Sequence, residues 1–101
     1  MSKNFNFLGR LKWIKTSYSK EGFLKAHAML IPPNAGKFSK KVTFVEFIDD
    51  IALQISQSCT KDCFIQARGK YKFSGNKVKF TGEHFQIMEW NSELEKFVPA
   101  T

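Results

Sequence analysis

Apolar and polar positions alternate with period two along most of this chain, which predicts strands rather than helices. The clearest stretch is Cys63 to Glu89, CFIQARGKYKFSGNKVKFTGEHFQIME. Ile65, Ala67 and Gly69 share one face there, and Gln66, Arg68 and Lys70 the other. After Ser74-Gly75-Asn76, Val78 and Phe80 alternate with Lys77 and Lys79. Glycine and asparagine accept the positive φ of a tight hairpin, so the stretch reads as two strands joined by a basic turn. Val78 and Phe80 precede Gly82 on one parity, whereas Phe85 and Ile87 follow it on the other. A bulge at Gly82-Glu83 would produce that change.

Three more strands are predicted upstream. Phe5 to Lys15 places Phe5, Phe7, Leu11 and Trp13 on one parity, with Leu8 and Ile14 breaking the pattern. A bulge or bend near Gly9 would let such a strand curve. The polar run Thr16 to Gly22 holds a turn. Phe23 to Ile31 alternates cleanly, Leu24, Ala26, Ala28 and Leu30 inward against Phe23, Lys25, His27 and Met29 outward. That outward row is an odd choice for a face that only meets water. Pro32-Pro33 ends the strand, since proline cannot donate to the ladder, and a loop runs on through Lys37, Phe38, Lys40 and Lys41. Val42 to Phe47 is the third strand, with Val45 and Phe47 on one face and Val42, Phe44 and Glu46 on the other. The one helical signature spans Asp49 to Ser58: Ile51, Ile55 and Cys59 recur at four-residue spacing, Leu53 is off that stripe, and Asp49 or Asp50 is placed to cap. Periodicity is lost after Trp90, so the expectation is one domain over residues 1–90 and a short tail or docking segment over 91–101.

Strand, strand, strand, helix, strand, strand is the element order of the OB-fold barrel, an all-β architecture of five strands with one α-helix between strands 3 and 4. Its strands two and three and adjoining loops bind oligonucleotides. A chain of 101 residues is long enough for one such core. Sixteen Lys and Arg against nine Asp and Glu give +7, which favours a polyanionic partner, nucleic acid ahead of an acidic membrane surface. The bland alternative is a lysine-rich composition without functional meaning. Eleven phenylalanines exceed what a core this size must hold, so some rings are expected outside. The start MSKNFNFLGR lacks the apolar core of a signal peptide, no stretch reaches the ~20 apolar residues of a membrane span, and Cys59 and Cys63 are too few for a disulfide scaffold. A cytoplasmic location is the expectation, with no membrane contact.

Binding an unpaired polynucleotide requires cations for phosphates and flat rings for bases. The chain interleaves them at Phe23-Lys25, Phe38-Lys40-Lys41 and Lys70-Tyr71-Lys72-Phe73, with Lys77 and Lys79 across the hairpin. Arg10, Lys12 and Arg68 lie on outward parities of strands that flank the same groove. By strand parity Phe7, Trp13, Phe47, Phe80 and Phe85 are expected inside, and Phe38, Tyr71 and Phe73 outside. Phe44 is undecided, and Trp90 is either a stacking residue or an oligomer contact. Cys59, Cys63, His27 and His84 could supply zinc ligands in principle, but C-x3-C across a helix-to-strand junction is a weak knuckle. Two buried or half-buried thiols are the better reading. No nucleophile–base grouping or phosphate loop is present, and Asp49-Asp50 reads as a helix cap. Neither catalysis, a cofactor nor a metal is therefore expected.

FLGRL (Phe7 to Leu11) resembles the opening of bacterial single-stranded-DNA-binding proteins, where an apolar strand runs into Gly-Arg-Leu. FIDDIALQISQSCTKDCFIQARGKY (Phe47 to Tyr71) is similar to that family's third-strand end, helix and fourth strand, down to the small–polar–glycine ending at Ala67-Arg68-Gly69. The resemblance implies an OB barrel that forms dimers or tetramers and winds single-stranded DNA over outer aromatic and basic surfaces. It would place a stacking position at Phe47 or Ile48, and the binding hairpin at Tyr71 to Lys79. Housekeeping members carry a glycine-rich linker and an acidic tip, whereas this chain ends at Phe97-Val-Pro-Ala-Thr. That suggests a short form, of a phage, plasmid or other mobile element. The function expected is non-enzymatic single-stranded DNA binding with little sequence preference, in replication or recombination, alongside proteins such as a helicase, primase or polymerase. The alternatives are an RNA-binding barrel, or a protein-interaction subunit of a replication or primosome assembly docking a partner on Phe23, Met29 and Phe44.

Overall fold

The computed structural model describes residues 3–32 and 42–100, which form β1 (Lys3–Tyr18), β2 (Leu24–Ile31), β3 (Thr43–Ile48), α1 (Asp50–Ser58), β4 (Phe64–Ser74), β5 (Lys77–Asn91) and β6 (Lys96–Pro99). The sheet order is β3-β2-β1-β4-β5-β6, and β3 also pairs with β5. That last pairing is parallel, Val45 opposite Phe80 and Phe47 opposite Gly82, and it closes the first five strands into a barrel. The all-β barrel with its single helix between β3 and β4 is the architecture that the period-two pattern predicts.

Alternation fills the barrel. Leu11, Ala26, Ala28, Leu30, Val45, Phe47, Ile65 and Ala67 are buried together with Ala52, Ile55 and Cys59 from the helix side. Alanines at three of these positions leave room for Phe47, which meets Phe85 edge-on at 6.3 Å between ring centroids. Helix α1 buries its Ala52–Ile55 side and leaves Leu53 exposed. Its N-terminus differs from expectation. Asp49 stands at the N-cap with φ 62 and makes no side-chain cap hydrogen bond. Its backbone N–H instead donates to Leu24 O at 2.9 Å, tying the helix entry to β2.

β1 is long because it serves two neighbours. Its first half pairs with β4 and its second half with β2. The expected break falls at Lys12 rather than Gly9: the register passes from Leu11 opposite Leu30 to Trp13 opposite Met29. The extra residue reverses parity, so Ile14 packs against the core and Trp13 points outward. The expectation that Trp13 lies inside is therefore corrected; the bulge overrides the alternation that Phe5, Phe7 and Leu11 set up. The bulge foreseen in β5 is present: Arg68 pairs with His84 and Gly69 with Gly82, leaving Glu83 unopposed. At the hairpin tip Gly75 adopts φ 64, and Asn76 does not share that region. Residues 91–101, read as a tail without periodicity, contain β6. It pairs with β5 through Trp90–Phe97 and Met88–Pro99, and the Leu94 N–H donates to Asn91 Oδ1 to close the turn. Four residues are too few to show a period. Among the described residues no helix is long and apolar enough to cross a membrane.

Candidate nucleic-acid interface

The bulge at Lys12 assembles an aromatic rung on the outer wall. Trp13 on β1, Met29 on β2 and Phe44 on β3 are cross-strand neighbours. The two rings stand 5.9 Å apart between centroids, tilted by 48°. Phe44 is 50% exposed. Lys15 Nζ sits 5.1 Å from the Trp13 ring centroid, a cation–π contact that leaves a positive charge beside the ring. Below this rung the register sets Lys15, His27 and Glu46 in a second row and Ser17, Lys25 and Ile48 in a third. Phe23, also 50% exposed, closes the same face at the β1–β2 turn, its N–H donating to Ser19 Oγ.

Across the β3–β5 seam the outer wall turns basic. On the hairpin Lys72 faces Lys79, Lys70 faces Thr81, and Lys77 faces Ser74. The rings take the other side: Tyr71 opposite Phe80 and Phe73 opposite Val78. Phe5, Phe80, Tyr71 and Phe73 form an aromatic chain that continues the core beyond the barrel, with neighbouring centroids 5.2, 5.6 and 5.9 Å apart. Tyr71 is thereby half-buried, while Phe73 at the end remains 69% exposed. Alternation thus sorts rings and ammonium groups onto opposite faces of the finger. Two lysines directly opposite repel each other, a local cost that a bound phosphate would relieve.

The junction between rung and hairpin is a groove of about 330 Å³, lined by Phe44, Val45, Val78 and Phe80 with His27, Glu46 and Lys79. Glu46 is the one buried charged residue among those described. His27 Nε2 donates to its Oε2 at 2.9 Å, and Lys79 Nζ stands 3.6 Å from Oε1. Burial pushes the carboxyl up, but the His27 hydrogen bond and the charges of Lys79 and Lys25 outweigh it, holding Glu46 below the ordinary carboxylate range.

Of the residues singled out from sequence, Phe23, Lys25, Phe44, Lys79, Lys72, Lys77, Lys70 and Arg68 lie on one outward band that passes from β2 through β3 and β5 to β4. Phe73 flanks it at the hairpin's end. Arg10 is the next outward residue beside the rung, opposite Ile31 on β2 and Phe64 on β4, and its Nη1 donates to Asp62 Oδ1 at 2.6 Å. Lys12 is the exposed bulge residue itself. Phe38, Lys40 and Lys41 lie outside the described residues. Phe47 is fully buried, with Phe7, Phe80 and Phe85 packed against the core; Phe47 therefore offers no stacking face. Trp13, His27 and Glu46 share this outer wall and do not emerge from the sequence as candidates. Lysines on both flanks of Trp13, at 12 and 15, were the available signal. Trp90, 54% exposed, packs on Phe97, which packs on Phe64, a separate aromatic cluster at the β5–β6 hairpin. Among the described residues no three potential ligands gather around a metal position. Cys59 and Cys63 are free thiols, the former pushed up to about 12, by burial first and then by its neighbour Cys63.

No protein-family model matches the chain, and no curated protein matches it in sequence. Solved structures do match in shape. The SSB domain of a Synechococcus sp. protein superposes with a TM-score of 0.68 at 10% identity, covering 81% of this chain and 91% of that one. The barrel is an OB fold. Rim1, a mitochondrial single-stranded DNA binding protein of S. cerevisiae, superposes at 0.69 with 6% identity over 84% of this chain and 92% of its own. PriB from Ralstonia solanacearum gives 0.66 at 8% identity, with 83% and 96% covered. At such identities the likeness is one of fold, the same fold that the FLGRL and FIDDIALQISQS segments suggest.

Proposed function

We propose that this OB-fold protein binds single-stranded DNA with little sequence preference, without catalysing a reaction, in replication or recombination. The observation that carries the proposal is the continuous outer band. An outward-facing Trp13–Met29–Phe44 rung leads across the β3–β5 seam into the opposed lysines of the hairpin. Trp13, Phe44 and Phe73 would stack bases, and Lys25, Arg68, Lys70, Lys72, Lys77 and Lys79 would neutralise phosphates. The loop residues Phe38, Lys40 and Lys41 extend the same proposal on composition alone. Stacking tolerates every base because each has a π face, and is worth ~1–3 kcal/mol per base by alanine substitution. The names of the structural neighbours, an SSB domain and a single-stranded DNA binding protein, support the same reading.

Fluorescence anisotropy of labelled oligo-dT at several salt concentrations tests it. Affinity should fall steeply with salt, each neutralised phosphate adding about −0.7 to the log–log slope. Lys70→Glu with Lys72→Glu should weaken binding and flatten the slope. Binding unaffected by these changes or by Trp13→Ala would sink the assignment. A matched RNA oligonucleotide separates DNA from RNA preference, since the 2′-OH tells them apart. The proposal includes a dimer or tetramer, which light scattering measures directly. Replication proteins, and a cytoplasmic setting, remain its proposed context.

A further inference from the structure

We propose that the groove between the start of β3 and the β4–β5 hairpin is a guanine-selective pocket within the DNA track, read by Glu46. This rests on the single-stranded DNA reading above and adds a preference at one nucleotide of an otherwise tolerant surface.

A carboxylate is out of place at the centre of a surface meant for a polyanion. Glu46 nevertheless sits there, at the junction of the aromatic rung and the lysine hairpin, and lines the groove. The walls around it are flat or aliphatic, from Phe44, Val78 and Phe80, and suit the faces of a base. The groove's polar lining is one carboxylate, Glu46, with His27 Nε2 at 2.9 Å and Lys79 Nζ at 3.6 Å from it, and Ser74 and Lys77 from the hairpin. Mostly apolar walls with a few convergent polar groups are the general character of a small-ligand pocket.

The polar lining discriminates among bases. An ionised carboxylate only accepts hydrogen bonds, at about four lone-pair sites, so one contact from His27 leaves others open. Guanine alone offers two adjacent donors on its pairing edge, N1–H and the N2 amino group, which match the two carboxylate oxygens side by side. Its O6, next in line, is an acceptor suited to the Lys79 ammonium. Cytosine and adenine each offer one amino group beside an acceptor ring nitrogen. Thymine offers one N–H between two carbonyl oxygens, which Glu46 repels. Charge-assisted, two-pronged hydrogen bonds are the strong and specific ones. The expected order is therefore guanine first, cytosine and adenine next, and thymine last.

The test measures anisotropy for equal-length labelled d(TG)n, d(TI)n, d(TC)n and oligo-dT at one salt concentration. Inosine keeps O6 and N1–H but lacks the N2 amino group. The wild-type protein should bind d(TG)n about fivefold or more tighter than oligo-dT, the low end of what a two-pronged base contact provides. With d(TI)n much of that advantage should vanish. Glu46→Gln should bind oligo-dT more tightly, having lost a repulsive charge, and should no longer distinguish guanine from inosine. Equal wild-type affinity for d(TG)n, d(TI)n and oligo-dT overturns the pocket while leaving DNA binding intact. A guanine preference that survives Glu46→Gln overturns the role of Glu46. Failure to bind any of the oligonucleotides instead overturns the DNA-binding proposal itself. The inosine comparison uses the unmodified protein, so it decides the matter even if the variant does not fold.

Discussion

Gly82→Ala tests how the barrel closes. Gly82 pairs in parallel with Phe47 at the β3–β5 seam and is buried. A Cβ built there would stand 2.2 Å from Phe47 Cε1, 2.5 Å from Cδ1 and 2.8 Å from Cζ, the nearest more than 1 Å short of ordinary contact. Phe47 is fully buried and meets Phe85 on another side, so its ring cannot swing away freely. Either the ring leaves its rotamer or the seam opens. Overpacking of this kind costs ~1–3 kcal/mol, and contact with three ring carbons puts this case near the upper end. For a domain of about 100 residues, ~3 kcal/mol corresponds to a fall of roughly 12–24 °C in Tm. Thermal and urea unfolding of wild type, Gly82→Ala, Phe47→Leu and the double variant would measure it. Phe47→Leu removes the clashing ring atoms, so the double variant should be more stable than the two separate losses imply, with a coupling of at least about 0.5 kcal/mol. If Gly82→Ala unfolds within ~0.5 kcal/mol of wild type, or if the two losses simply add, the tight seam is wrong.

Trp13→Ala and Phe44→Ala should each weaken oligo-dT binding by ~1–3 kcal/mol while changing Tm little, because both rings sit on the outer wall; paired binding and melting measurements check this. Lys72→Glu should act in opposite directions on folding and binding: relieving the repulsion with Lys79 stabilises the free protein by ~0.2–1 kcal/mol, whereas oligo-dT affinity falls and its salt slope flattens. Arg10→Ala should leave oligo-dT affinity near wild type, since the Arg10 guanidinium is already paired with Asp62, and should cost less than ~1 kcal/mol in urea unfolding because the pair is exposed. Glu46 has a folded-state pKa held below its ordinary value. Its pairing therefore stabilises the fold above the ordinary carboxylate range near ~4.3 and is lost as pH falls through the lowered folded value. Unfolding free energy should drop less steeply on acidification in Glu46→Gln than in wild type.

What the sequence could reveal followed from where alternation is strict. β2 alternates without interruption, and its inward alanines and outward Lys25, His27 and Met29 stand as the pattern predicts. The bulge at Glu83 showed because apolar residues flank it on opposite parities. The bulge at Lys12 did not, since Leu11 and Trp13 are both apolar and preserve the apparent phase across it. Parity alone therefore puts Trp13 inside and hides the outer rung. The Asp49 side chain looked like a cap, yet its backbone φ of 62 carries the chain between β3 and α1. β6 is held by hairpin pairing with β5, and four residues carry too little alternation to announce it. Glu46 was placed outward on β3, but its burial depends on Lys79 and His27 arriving from other strands.

On the proposed path, unpaired DNA runs over the rung built by β1, β2 and β3 into the hairpin lysines. In a Trp90→Phe variant Trp13 is the remaining tryptophan of the two in the chain, so its emission reports on the rung alone. On titration with oligo-dT that emission should be quenched to a saturating end point, in step with anisotropy, and should recover as salt displaces the strand. Full binding by anisotropy with unchanged Trp13 emission would place the DNA on another surface and overturn the proposed path.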